Sequence, residues 1–256
     1  MAFVYQRAAE VLVWLGTREA PTSKDILLAS SQWNDGVLGK VQVESWLYDL
    51  INQEYWKRTW IIQEICMANK IEVVSGYYDK GMVSWDDFVK VVEAYQAYNK
   101  LRGSTEFFGG SDGILKLDET RKSKYQGGKG YSLGVLLRTF QDSFSKVSRD
   151  KVYAFLGMAN DHYLGYKGSI IVDYEKTTFE MYQDVVRFQN LSTFEPVKKK
   201  VEIMYLSSLV RRLLTRESDL RLKSWYDFST ISEIRNPKLE ASACKNDAGP
   251  RFSKEE

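Results

Sequence analysis

Residues 55–68 read YWKRTWIIQEICMA, the pattern of a helix that is apolar on almost every side. Such a helix is usually enclosed by the rest of the fold. Its one carboxylate belongs to Glu64, whose neighbours one turn away are Trp60, Ile61, Met67 and Ala68. An acid in that setting must bind a tertiary partner, face a pocket or take up a proton. Glu64 is therefore the first candidate for a functional residue.

Two short apolar runs lie on either side of this stretch. The run VLVWL at 11–15 is typical of a strand covered on both faces, as in a parallel sheet between helices. The run IEVVS at 71–75 follows after a crossover long enough for parallel pairing. We therefore predict an α/β, helix-dominated protein, in which a small parallel sheet with flanking helices is followed by a mainly helical portion.

Capping residues and apolar periodicity extend this prediction along the chain. Ser84 is a candidate N-cap for a helix with Asp86 and Asp87 in its first turn. The many glycines after position 100 are typical of a long connection. The predicted regions are an α/β core at 1–100, a glycine-rich mobile loop at 101–131, helices at 132–190, a helical extension at 191–235 and a disordered tail at 236–256.

Composition excludes several classes of function. The net charge of +2 over 256 residues gives no argument for nucleic acid. His162 is the only histidine, which argues against Ser-His-Asp and Cys-His mechanisms and against His-rich metal sites. Cys66 and Cys244 stand in unlike contexts, so a disulfide is not expected. The N-terminal apolar run is too short for a signal peptide or a membrane span. We predict a cytoplasmic protein with no metal and no membrane partner.

Several segments follow one another in an order that resembles the fungal heterokaryon incompatibility (HET) domain. They are YQRAAEVLVWLG at 5–16, EYWKRTWIIQEICMANKIEVVSG at 54–76, SWDDF at 84–88, RDKVYAFLGMAND at 149–161 and IVDYEKTTFEMYQDVV at 171–186, with a weaker echo in KSWYDFS at 223–229. The resemblance is specific because the motifs VLVWLG, RxWIIQE and RDKVYAxLG occur together. The resemblance covers residues 1–190.

The resemblance implies a fold similar to TIR domains and a role in fungal non-self recognition that ends in programmed cell death. Trp60 and Glu64 match a Trp-x-x-x-Glu pattern, which looks like the helix that carries the catalytic glutamate of NAD-cleaving TIR enzymes. Glu64 is then the candidate catalytic residue, with Trp60 and Gln63 beside it. NAD would be a substrate, and no cofactor is expected. Two strands that normally open the family are absent, which implies an N-terminally truncated member.

The same residues also have plainer interpretations. Glu64 could stabilise the positive charge that develops on a ribose, or it could form a buried ion pair with Arg58 or Arg149. Trp60 could be a core residue, and Gln63 could bind a loop carbonyl instead of a ligand. Arg149 and Asp150 could form a helix start with a tertiary salt bridge, or they could contact a phosphate or a partner.

Three functions therefore stay open at the level of sequence. The first is a cell-death effector with NAD glycohydrolase-like activity. The second is a non-catalytic module for self-association or for binding another incompatibility protein. The third is a nonfunctional fragment, because VLVWL without its sheet neighbours would expose an adhesive strand edge.

Overall fold

The computed structural model of the chain describes residues 2–16, 21–35, 41–76, 82–103, 108–125, 130–162, 168–192 and 196–215. The strands are β1 (Val11–Trp14), β2 (Ile71–Val74) and β3 (Met82–Ser84). The helices are α1 (Ala2–Arg7), α2 (Ser23–Asn34), α3 (Val41–Ile51), α4 (Ile61–Met67), α5 (Trp85–Leu101), α6 (Phe108–Tyr125), α7 (Leu133–Thr139), α8 (Asp150–Leu156), α9 (Thr178–Ser192) and α10 (Pro196–Leu214). A 3-10 turn covers Glu54–Lys57. This architecture confirms the helix-dominated α/β class.

The three strands form one sheet with β2 in the centre. β1 pairs with β2 in parallel, with Val11 opposite Ile71, so the predicted parallel pairing is confirmed. β3 pairs with β2 in the antiparallel direction, which makes the sheet mixed and not wholly parallel. The sequence did not predict β3 because three residues directly before a helix give too short a pattern.

Only one face of β1 is covered. Val13 is fully buried, whereas Leu12 and Trp14 are 43% and 60% exposed. The prediction that VLVWL is enclosed on both faces is therefore wrong. Among the described residues β1 lies at an edge of the sheet and only its Val13 face packs against the core.

The predicted continuous helix over 55–68 is also wrong, because the chain is interrupted at Arg58. Arg58 has extended backbone angles, φ −76° and ψ 134°, between the 3-10 turn and α4. It forms a parallel bridge with Phe144, and the Thr59 N–H donates to the Phe144 carbonyl at 2.9 Å. These tertiary hydrogen bonds replace the local helical ones. The apolar side chains of α4 are nevertheless enclosed as expected, since Ile61 and Ile65 are fully buried.

Residues 108–125, within the predicted glycine-rich loop, form the helix α6. Ile114 and Leu117 bury its apolar side. A Cβ at Gly110 would overlap the Ile51 carbonyl, at 2.8 Å from the carbonyl carbon. The glycine therefore permits close packing of two backbones, a use that composition cannot distinguish from a turn. The loop prediction is corrected for this segment.

The remaining helices complete a continuous core. α5 begins as predicted, with the Ser84 hydroxyl accepting from the Asp87 N–H at 3.2 Å. α9 packs along α10, α10 contacts α7, and α7 contacts α8. The buried apolar cluster extends from Val13 to Leu214. The predicted disordered tail and residues 216–235 lie outside the described residues. None of the described helices is long and apolar enough to cross a bilayer.

Candidate functional site

The start of α4 and the start of α8 meet at two of the predicted site residues. The half-buried Trp60 donates its indole N–H to Oδ2 of Asp150 at 3.0 Å. Glu64 follows Trp60 by one helical turn, so both side chains lie on the same side of α4. The structure therefore brings Trp60, Glu64 and Asp150 into one region.

Tyrosine hydroxyls surround the carboxylate of Glu64, which is half-buried. Tyr55 donates its hydroxyl to Oε2 at 3.0 Å. Burial first, and then the charge of Glu64, raise the pKa of Tyr55. The same two causes raise the pKa of Tyr5 on α1. Sequence reasoning missed both tyrosines, because Tyr55 reaches Glu64 only through the break at Arg58 and Tyr5 belongs to a distant helix.

No ion pair involves Glu64 within the part of the chain that the structure describes. The predicted alternative, a buried pair with Arg58 or Arg149, is therefore not formed. Arg58 is exposed, and its positive charge acts on the hydroxyls of Tyr5 and Tyr55 and lowers their pKa values slightly against the larger effect of burial. The carboxylate is thus held by tyrosine hydroxyls and not by a cation.

The carboxylate of Asp150 also accepts hydrogen bonds from neutral donors. Its Oδ2 accepts from Trp60 and from the Ser145 hydroxyl at 3.2 Å, and its Oδ1 accepts from the Tyr174 hydroxyl at 2.7 Å. Burial and then this hydrogen bond raise the pKa of Tyr174 to about 12. The predicted salt bridge at Arg149 and Asp150 is not formed among the described residues. The Arg149 Nε is buried and has no hydrogen-bond partner.

Of the two roles predicted for Gln63, the structure shows the hydrogen bond to a backbone carbonyl. Its side chain is 2% exposed, and its Nε2 donates to the Ala154 carbonyl of α8. Its Oε1 is buried without a partner. Gln63 therefore fixes α4 against α8 beneath the region of Trp60 and Asp150.

The other chemically reactive side chains are used in the fold. The ring of His162 is buried, and its Nε2 accepts from the Ile170 N–H at 3.2 Å. Cys66 is buried on α4, and its thiol lies 3.6 Å from the Leu117 carbonyl. Burial raises the pKa of this thiol to about 12. In the described segments no three His, Cys, Asp or Glu side chains are grouped as metal ligands.

Comparison with known proteins gives no match: no family model, no curated protein and no solved structure is similar to this chain. The resemblance to the HET domain therefore depends on the sequence motifs quoted above.

Proposed function

We propose that this chain is a HET-type module of fungal non-self recognition that cleaves NAD, with Glu64 as the catalytic carboxylate. The observation that carries the proposal is the state of that carboxylate, which is half-buried, held by the Tyr55 hydroxyl and not paired with a cation. A guanidinium partner would cancel its field, whereas a tyrosine hydroxyl orients the carboxylate and leaves the negative charge available.

The proposed reaction breaks the bond between the ribose C1′ and the nicotinamide nitrogen. The bonding electron pair goes to the ring, which leaves as neutral nicotinamide, and the ribose gains oxocarbenium character. Glu64 stabilises this developing positive charge. Water then adds to C1′ and loses a proton, so that NAD and water give ADP-ribose, nicotinamide and H⁺.

The purified full chain is incubated with NAD, and released nicotinamide is measured over time. The native chain is expected to release nicotinamide, and Glu64→Gln is expected to lose at least about 100-fold of the rate. Glu119→Gln changes an exposed carboxylate on α6 and serves as the matched control. Absence of release by the native chain, or full activity in Glu64→Gln, would contradict the proposal.

A second candidate function is a non-catalytic interaction module, and the exposed side of β1 favours it. Leu12 and Trp14 are large apolar residues on a strand that pairs only with β2 in the described residues. An open apolar edge of this kind is prone to pair with another strand. Sedimentation over a concentration series tests this candidate, because Trp14→Lys should reduce assembly if β1 mediates it. Concentration-independent mass in the native chain would exclude it.

A further inference from the structure

The outer edge of β1 has backbone groups without a strand partner at two residues. The N–H groups of Val11 and Leu15 donate to carbonyls at or next to β2, at 2.9 and 2.8 Å. Because successive residues of a strand direct their backbone groups to opposite sides, those of Leu12 and Trp14 are directed away from β2. β1 pairs with no other strand in the described part of the chain, so the N–H and carbonyl groups of these two residues stay open.

The side chains of the same two residues are apolar and exposed. Leu12 and Trp14 are two positions apart, so they lie on one face of the sheet. Natural edge strands are usually protected by charged residues, proline or a bulge, but the sequence VLVW of β1 has no charge and no proline. Glu10, the charged residue nearest in sequence, is bound by the Lys70 Nζ at 2.7 Å. This edge therefore favours an apolar, uncharged strand as its partner.

A second copy of β1 fits this edge in the antiparallel direction. With Val13 on a twofold axis, Leu12 of one copy lies opposite Trp14 of the other, and the same pair recurs across the axis. Residues that face each other with outward backbone groups exchange both of their N–H···O bonds. All the outward groups of both strands are then paired, and on the exposed face each leucine lies against a tryptophan.

The ends of the strand and the charge of the chain also suit a second copy. Gly16 has φ 97°, and its carbonyl accepts from the Gly76 N–H at 2.8 Å, so the outward edge ends at Trp14. The register places Glu10 opposite Gly16 of the second copy, and no like charges oppose each other. A net charge of +2 also gives little repulsion between two copies.

We propose that two copies of this chain form a dimer by antiparallel pairing of their β1 strands, with Leu12 of each opposite Trp14 of the other. The dimer rests on the interaction function proposed above for β1 and does not require cleavage of NAD. It joins two three-stranded sheets into one continuous sheet. The assembly stops at two copies, because a twofold contact uses the β1 edge of both.

Sedimentation equilibrium of the full chain over a concentration series measures the stoichiometry and the dissociation constant. The native chain is expected to follow a monomer–dimer equilibrium. Trp14→Lys removes the ring and places a charge opposite Leu12 twice in each dimer, so the dissociation constant should rise at least about tenfold. Leu28→Lys makes the same kind of change at an exposed leucine of α2, outside the sheet, and should leave the dissociation constant unchanged.

Cysteine cross-linking tests the register. In the Cys244→Ser background, where Cys66 is buried, Leu12→Cys and Trp14→Cys chains are mixed with oxidised glutathione, and disulfide dimers are measured on a non-reducing gel. Opposite residues of a hydrogen-bonded pair have Cα atoms about 5.5 Å apart, which a disulfide can span. Two copies of the same residue are two positions out of register and more than about 7 Å apart, which is too far. The mixture is therefore expected to cross-link, whereas neither chain alone is.

The outcomes separate this dimer from the proposed functions. A monomer mass at every concentration, or an unchanged dissociation constant in Trp14→Lys, overturns the dimer whatever the rate of nicotinamide release. Cross-linking of either chain alone to the same extent as the mixture retains an interaction through β1 and overturns the antiparallel register. Growth beyond two copies overturns the closed pairing. Dimers that form as predicted without nicotinamide release retain this inference and overturn the cleavage.

Discussion

The carboxylates of Glu64 and Asp150 accept hydrogen bonds from neutral donors. Among the residues that the structure describes, no lysine or arginine forms an ion pair with either one. Glu64 accepts from a tyrosine, and Asp150 accepts from an indole and two hydroxyls. Tyrosine hydroxyls from two elements reach Glu64, Tyr55 from the 3-10 turn and Tyr5 from α1, whereas the donors to Asp150 are an indole, a serine and a tyrosine. A carboxylate can accept about four hydrogen bonds, so Glu64 retains acceptor capacity for a ligand.

Tyr55→Phe tests whether the hydroxyl positions that acid. Removing a hydrogen bond to a charged group costs about 1.5–3 kcal/mol, which predicts a loss of roughly 10- to 100-fold in nicotinamide release. The expected loss is in kcat, and circular dichroism checks that the variant remains folded at the assay temperature. Tyr205→Phe on α10 is the control, because Tyr205 is 46% exposed and far from Glu64 in sequence. Unchanged kcat in Tyr55→Phe would show that Glu64 needs no such support.

Cys66 provides a pH-dependent prediction at the same scale. Its pKa is about 12 in the folded chain against an ordinary value of 9.0, because burial disfavours the thiolate. The folded state thus holds the proton more tightly than the unfolded state, so this contribution to stability is complete below pH 9 and is lost as the pH rises towards 12. In Cys244→Ser, where Cys66 is the only thiol, an aromatic disulfide reagent at pH 8 should react slowly until urea unfolds the chain. Equal rates with and without urea would show that the thiol is accessible.

At the scale of elements, packing between backbones determines where α4 and α6 lie. Arg121 of α6 donates to the carbonyls of Ile65 at 3.1 Å and Asn69 at 2.9 Å, and so satisfies acceptors at the end of α4. Gly110 at the other end of α6 allows its backbone to approach the end of α3. α6 therefore supports the helix that carries Glu64.

Two glycines of α6 give a matched pair of variants. Gly110→Ala should lower the free energy of unfolding by about 1–3 kcal/mol, because the added methyl group overlaps the Ile51 carbonyl. Gly113→Ala meets no atom within 4 Å and should raise stability by about 0.5–1 kcal/mol through the higher helix propensity of alanine. Urea unfolding followed by circular dichroism measures both. Equal effects of the two substitutions would contradict the close contact between α6 and α3.

At the scale of the whole molecule, the buried apolar cluster is continuous from β1 to α10. A shared core predicts that the two ends of the described chain unfold together. Six of the seven tryptophans lie between positions 14 and 85, so their fluorescence reports mainly on the first part of the chain. A substitution in α10 can therefore show whether the sheet region depends on the C-terminal helices.

Leu209→Ala removes a side chain that is 2% exposed, at an expected cost of about 2–5 kcal/mol. If the core is one cooperative unit, the tryptophan transition in thermal unfolding falls by several degrees, together with the circular dichroism transition. Met204→Ala on the same helix removes a side chain that is 47% exposed and should change little. A tryptophan transition that does not move in Leu209→Ala would show two independent units.

The amino-acid sequence alone predicted the parallel pairing of β1 with β2, the Ser84 cap of α5 and the enclosure of α4 by apolar packing. These features depend on local patterns: unbroken apolar runs, a capping serine, and spacing by helical turns. Only the tertiary structure decided the break at Arg58, the helix over 108–125, and the hydroxyls that hold Glu64 and Asp150. Each of these depends on groups distant in sequence, a carbonyl at Phe144, a backbone at Ile51 and a side chain at Tyr174, which local periodicity cannot represent.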